Sequence, residues 1–157
     1  MTNVTINQEV RLSEHFKLAE LCKTSVRTAD GNIPSHAAIE NLKRLSGWLE
    51  MLRSEWNTRY GDGDDPVIIN SGYRSPQVNK AVGGVATSNH LTGCAVDIRV
   101  LGMEQLLRYA VILLDISDES QEDFDELLIE RNARGTYWLH FAVRPEGNRR
   151  KIRLIAC

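Results

Sequence analysis

Hydrophobic and polar positions recur along this chain regularly enough to divide it into elements. Ile39, Leu42, Leu45, Leu49, Leu52 and Trp56 follow one another at three- and four-residue steps, which is one buried stripe on a long helix. Pro34 and Ser35 open that helix, and the run from Gly61 to Pro66 ends it. Met103, Leu106, Leu107, Ala110, Val111 and Leu114 predict a second amphipathic helix, followed by an acidic loop from Asp115 to Asp123. Ser13 stands where an N-cap would, ahead of a short helix carrying Phe16, Leu18, Ala19, Leu21 and Cys22. Pro76 begins another short helix through Lys80.

Elsewhere the period is two. From Cys94 to Val100, the residues Cys94, Val96, Ile98 and Val100 take one face of a strand, while Ala95, Asp97 and Arg99 take the other. From Trp138 to Val143, the apolar face is Leu139, Phe141 and Val143, and His140 shares its face with Trp138 and Ala142. Val67 to Asn70 reads as a short buried strand, and Phe124 to Glu130 as one hairpinned to the His140 strand through Arg131 to Tyr137. After a turn at Pro145 to Asn148, Lys151 to Ile155 returns as a final strand, with Arg149 to Lys151 an exposed basic edge. Residues 1–12 read as a loose lead-in with a short strand from Val4 to Ile6, and residues 144–157 as a C-terminal extension. The expected fold class is α+β: a small antiparallel sheet flanked by two or three helices, one domain over residues 1–157.

Composition narrows the function classes. A chain of 157 residues can bury a core of its own. Nineteen basic against twenty-one acidic residues leave a net charge of −2, which argues against nucleic acid or an anionic membrane as partner; a monomer is expected. Cys22, Cys94 and Cys157 are an odd number without C-x-x-C spacing, so neither a disulfide framework nor a thiolate zinc site is indicated. The N-terminal residues lack the charged and apolar regions of a secretion signal, and no window reaches membrane-span length. The expectation is a protein made in the cytoplasm, reaching any target outside the cell through lysis or on a particle that carries it. The acidic run from Gly61 to Asp65 lacks the spaced ligands and closing Glu of a calcium loop, and Gly83-Gly84 is not followed by the Lys of a phosphate loop.

The polar exceptions on the strands carry the chemistry. His90 and Asp97 lie seven residues apart across the Thr92-Gly93 turn, and Asp97 and His140 both point away from the apolar faces of their strands. If those strands are antiparallel neighbours, both groups project from one side of the sheet, and His90 can fold over to join them. Two imidazoles and one carboxylate, with a fourth position left open, form the ligand set of a catalytic rather than a structural zinc site.

These residues fall into a recognisable pattern. The combination Ser71-Gly-Tyr-Arg-Ser, Ser88-x-His-x-x-Gly-x-Ala-x-Asp97 and Trp138-x-His140 resembles the zinc D-alanyl-D-alanine carboxypeptidase-like peptidases. That family holds murein carboxypeptidases, phage endolysins that cut the peptide stem, and D-Ala-D-Ala dipeptidases, and the likeness is greatest to its short single-domain subgroup. It extends from about Phe16 to Val143. The resemblance implies Zn2+ held by His90, Asp97 and His140, a substrate carboxylate held by Arg74, and a peptidoglycan stem peptide as substrate. Ser88 either hydrogen-bonds that substrate or caps its turn. Trp138 either walls the substrate groove or belongs to the core.

In one respect the chain departs from the pattern. Some relatives carry an acidic residue or a second His two or three positions before the last zinc-binding His, where this chain has Tyr137 and Trp138. The general base must then come from elsewhere. Glu130 is the first candidate, because it ends the strand paired with the His140 strand and faces the same side; Glu126 is the second. The function expected is a zinc peptidase of the D-Ala-D-Ala carboxypeptidase or endopeptidase type. The rival readings are a zinc-containing wall-binding or virion module without catalysis, and a cytoplasmic D-Ala-D-Ala dipeptidase.

Overall fold

The structure is a computed structural model that describes residues 7–157, so the strand expected from Val4 to Ile6 lies outside the described residues. Its centre is a five-stranded sheet in the order β1-β2-β4-β3-β5, formed by β1 (Ile69–Ser71), β2 (Ala95–Arg99), β3 (Glu126–Arg131), β4 (Tyr137–Ala142) and β5 (Lys151–Ala156). One face is packed against helices α2 (His36–Arg59) and α4 (Met103–Ser120). The other carries the polar exceptions.

The alternation of each strand decides this division. Val96 and Ile98 on β2, Leu139 and Phe141 on β4 and Leu127 on β3 are each at most 2 % exposed, and they meet Leu42, Leu45, Leu49 and Leu52 of α2 in one core. Trp48 of α2 packs on Phe141 with ring centroids 5.4 Å apart, and Trp56 meets Tyr109 of α4 edge-on at 5.1 Å. The Ser35 hydroxyl accepts the Ala38 N–H, capping α2 where the sequence places its start.

Four features differ from the sequence reading. The expected helix after Ser13 is a single turn, α1 (Leu18–Leu21), with Lys17 at its N-cap. The backbone of residues 12–16 is already closed by Leu12 N–H donating to Phe16 O at 2.8 Å, and an antiparallel bridge joins Arg11 to Lys17. The lead-in is therefore not loose from residue 8 onward: Leu18 and Ala19 donate to the carbonyls of Val10 and Gln8.

Second, α4 runs on to Ser120, so most of the expected acidic loop is helix, and its phase is shifted. Leu106, Tyr109, Ile112, Leu113 and Ile116 face the core, whereas Met103, Leu107 and Val111 are 42 %, 49 % and 51 % exposed. Third, the final strand expected from Lys151 forms as β5, but it runs parallel to β3 where an antiparallel sheet was expected. The link from residue 143 to 150 stays at one end of the sheet and crosses β3, so β5 must run opposite to β4 and with β3. Fourth, the expected basic edge is partly tied down: Arg149 pairs with Asp125, which is wholly buried, and Arg150 donates to Ser117 and Asp118.

The helix phase is directly testable. Leu106→Ala empties a site in the core and is expected to destabilise the fold by about 2–5 kcal/mol, whereas Leu107→Ala should stay within about 0.5 kcal/mol of the parent in urea unfolding. Equal losses in the two variants would show that α4 is turned differently.

Candidate active site

Three local devices bring the polar face together. In the β2/β4 ladder Asp97 lies directly opposite His140, and in the β3/β4 ladder Glu130 is opposite Trp138 and Glu126 opposite Ala142. Directly opposed residues share a face, so Asp97, His140, Glu126 and Glu130 all project from the side away from the helices. His90 comes from a turn of 3-10 helix (Asn89–Thr92) ahead of β2. Ser88 accepts the His90 N–H at its start, and Gly93 closes it at φ 74°, a left-handed conformation that suits glycine. A side chain there would also meet the Ala38 carbonyl oxygen at 2.5 Å.

The ligand atoms of His90, Asp97 and His140 all lie within 4.8 Å of one another, and the three residues are 3 %, 8 % and 6 % exposed. Asp97 Oδ1 is 3.4 Å from His90 Nε2 and 3.2 Å from His140 Nδ1. Donors about 2.1 Å from a tetrahedral ion lie about 3.4 Å from one another, so the set fits a zinc-sized cation with little adjustment.

The outer partners select which nitrogens face inward. His90 Nδ1 is 2.7 Å from the Gly72 carbonyl, to which it donates, leaving Nε2 as the free donor atom. Gly72 reaches that place only as glycine, because a Cβ would stand 2.2 Å from the Leu21 carbonyl oxygen, the same oxygen that accepts Tyr73 N–H. On the other imidazole, Nε2 is 3.1 Å from Glu126 Oε1, which leaves Nδ1 beside Asp97. Glu126, the second candidate base, is thus bonded to the far side of a metal-ligand candidate. Its own anchors are Asn89 Nδ2, at 2.6 Å, and through Asn89 the buried Asp125.

Glu130 stands differently. Its Oε1 is 3.4 Å from His140 Nδ1, on the side of the ring that faces Asp97, and its Oε2 accepts from the Cys157 thiol at 3.5 Å. Burial lifts its pKa above the usual carboxylate range, with His140 pulling the other way and Asp97 adding to the rise. Glu126 moves in the opposite direction: burial would raise it, but the bond to His140 holds it below the ordinary value. Asp97 is likewise held down, its burial outweighed by the two imidazoles.

Arg74, read from the sequence as a clamp for a substrate carboxylate, is engaged within the protein: Nη2 donates to Asp97 Oδ2 at 3.1 Å and Nε to Ser71 Oγ at 3.2 Å. Its backbone N–H donates to the His90 carbonyl. Ser88 caps the His90 turn. Trp138 is half-buried on the site face, with its indole N–H buried and unpartnered among the described residues. Asn89 and Asp125, which link Glu126 to Arg144 and Arg149, carried no recognisable signal in the sequence.

Two histidines and an aspartate on one face of the sheet, with an adjacent half-buried glutamate, form the arrangement of a metal-dependent hydrolase. The comparisons give it a family. The Peptidase M15 family pattern matches residues 14–113, so the chain belongs to that family. It is also 30 % identical over 84 residues to the zinc D-Ala-D-Ala carboxypeptidase of Streptomyces albus G; the match takes in 54 % of this chain and 31 % of that relative, so it spans under a third of the relative's length. Arg74, His90 and Asp97 fall within the family match, and β3, β4 and β5 lie beyond it.

In the metal-free chain, burial works against a charge on His140, but hydrogen bonds to Asp97 and Glu126 outweigh it and push its pKa up to about 9. The protonated ring stabilises the fold fully below its unfolded pKa of about 6.5, and that contribution is lost as pH rises toward 9. A metal needs the neutral ring, so its binding must expel this proton. Zinc affinity measured against a chromophoric chelator should therefore rise with pH by up to about tenfold per unit between pH 6.5 and 8.5. An affinity flat across that range would contradict the assignment of His140.

Proposed function

We propose that the protein is a zinc-dependent peptidase that hydrolyses bacterial cell-wall stem peptides, by a D-Ala-D-Ala carboxypeptidase or endopeptidase reaction. The observation that carries this reading is the convergence of His90, Asp97 and His140 on one face of the sheet with Glu130 beside them. Family membership and the name of the Streptomyces albus G relative support zinc as the metal and the cell-wall peptide as the substrate class.

His90 Nε2, His140 Nδ1 and Asp97 Oδ1 would hold the ion, with the Gly72 carbonyl, Glu126 and Arg74 fixing their orientation. Zinc held there would lower the pKa of water to about 7 and polarise a carbonyl as a Lewis acid. Glu130 acts as general base. Its raised pKa brings it closer to working pH, which suits a group that takes a proton from the attacking water and returns it to the leaving amine. Arg74 still has Nη1 free of hydrogen bonds among the described residues, so it can bond a substrate carboxylate while holding Asp97. The position of Glu130 favours this reading over a wall-binding module, which has no use for a base next to the metal.

The test is digestion of purified murein sacculi, with released fragments weighed by mass spectrometry. Release should stop on chelation and return with zinc. Glu130→Gln should keep its zinc and lose about 10²- to 10⁴-fold in turnover. Release that continues unchanged after complete metal removal would overturn the mechanism.

A further inference from the structure

A cavity of about 450 Å³ adjoins the metal-ligand candidates on the same face of the sheet. Ser88, Glu126, Arg144, Arg149 and Lys151 line it. Two of these tie it to the site: Glu126 is bonded to His140 Nε2, and Ser88 caps the turn that carries His90. Along β3, Glu126 is two residues from Leu128, the position opposite His140, which places the cavity about 7 Å along the strand. About two residues of an extended peptide cover that distance, or one together with the reach of its side chain.

Its two arginines are anchored by Asp125 and Asn89. Asp125 is fully buried, and its pKa is pulled down to about 2, burial being overcome chiefly by its bonds to Arg149 and Asn89. Arg149 clasps it with Nε and Nη2 at 3.0 and 2.7 Å, and Arg144 donates Nε to Asn89 Oδ1 at 2.9 Å while standing 3.2 Å from Asp125. Arg144 keeps both Nη groups, and Arg149 keeps Nη1, free of hydrogen bonds among the described residues. Lys151 lies beside Glu126 in the parallel β3/β5 register, and no carboxylate among the described residues comes within 4 Å of its ammonium. Three cations against the carboxylates of Asp125 and Glu126 leave the cavity with an excess of positive charge.

Resting on the peptidase reading above, we infer that this cavity is a subsite for a carboxylate borne by the substrate one or two residues from the scissile bond, with Lys151 as its specificity-determining contact. Anchored guanidinium groups and an uncommitted ammonium beside a peptide-sized groove match a carboxylate and not a neutral amide. Stem peptides offer two such groups, on the acidic second residue and, in many walls, on the diamino acid that follows. Both present the same chemistry, and amidation removes either one.

The experiment compares three synthetic stem peptides, with both carboxylates free, the first amidated, or the second amidated, on the parent and on Lys151→Gln. The parent should cleave one amidated peptide about tenfold less efficiently than the free acid, mainly through KM, and that peptide names the carboxylate recognised. Lys151→Gln should lower kcat/KM on the free acid by a similar factor, with zinc content unchanged, and leave the poorly cleaved amide unaffected. A parent indifferent to both amidations, or a variant that keeps the full preference, would overturn the subsite. Should no peptide be cleaved at all, the peptidase reading fails instead. The subsite then stands or falls on calorimetric titration with the same peptides, where equal affinity for acid and amides overturns it.

Discussion

The cross-strand pairing of Asp97 with His140 is the constraint on which the site depends. Because side chains alternate, slipping β2 against β4 by one residue would oppose His140 to Val96 or Ile98, and the carboxylate would leave the imidazole's face. The register is held by the opposite face, where Val96, Ile98, Leu139 and Phe141 are sealed beneath α2 and α4. A slip of β2 would turn Val96 and Ile98 out toward water, at about 1.5–3 kcal/mol for each large side chain. The core therefore enforces the geometry of the polar face.

Around that pair, the remaining groups are set by hydrogen bonds whose donors and acceptors are on different elements. The Gly72 carbonyl turns His90, and the approach of Leu21 requires glycine there. Arg74 holds the outer oxygen of Asp97, and Glu126 holds the outer nitrogen of His140. Each ligand candidate thus has one partner that fixes it and one atom left facing inward, which is how metal sites orient their ligands. The network continues through Asn89 and Asp125 to Arg144 and Arg149, so the chain segment after β4 is connected to the histidines although it lies beyond the family match.

Much of this was legible in the sequence, for physical reasons that also explain what was not. Strands with one buried face must alternate, so Asp97 and His140 stand out as polar exceptions, and the long stripe of α2 has only one phase that fits. The phase of α4 was ambiguous because Met103, Leu107 and Val111 form an apolar line of their own that the fold leaves in solvent. The direction of β5 depends on a crossing over β3 that no local pattern encodes. Asp125 looked like any charge at a strand start, since its burial is made possible by an arginine twenty-four residues later. Glu126 and Glu130 share a face and a residue type, and only the orientation of the His140 ring distinguishes them, with Glu126 at Nε2 and Glu130 near Nδ1.

The central claim is that one ion is shared by His90, Asp97 and His140. Anomalous diffraction at the zinc edge from zinc-loaded crystals tests it most directly. The account predicts a single strong peak about 2.0–2.2 Å from His90 Nε2, His140 Nδ1 and one Asp97 oxygen. A peak elsewhere, or coordination through His90 Nδ1 with the Gly72 contact broken, would contradict it.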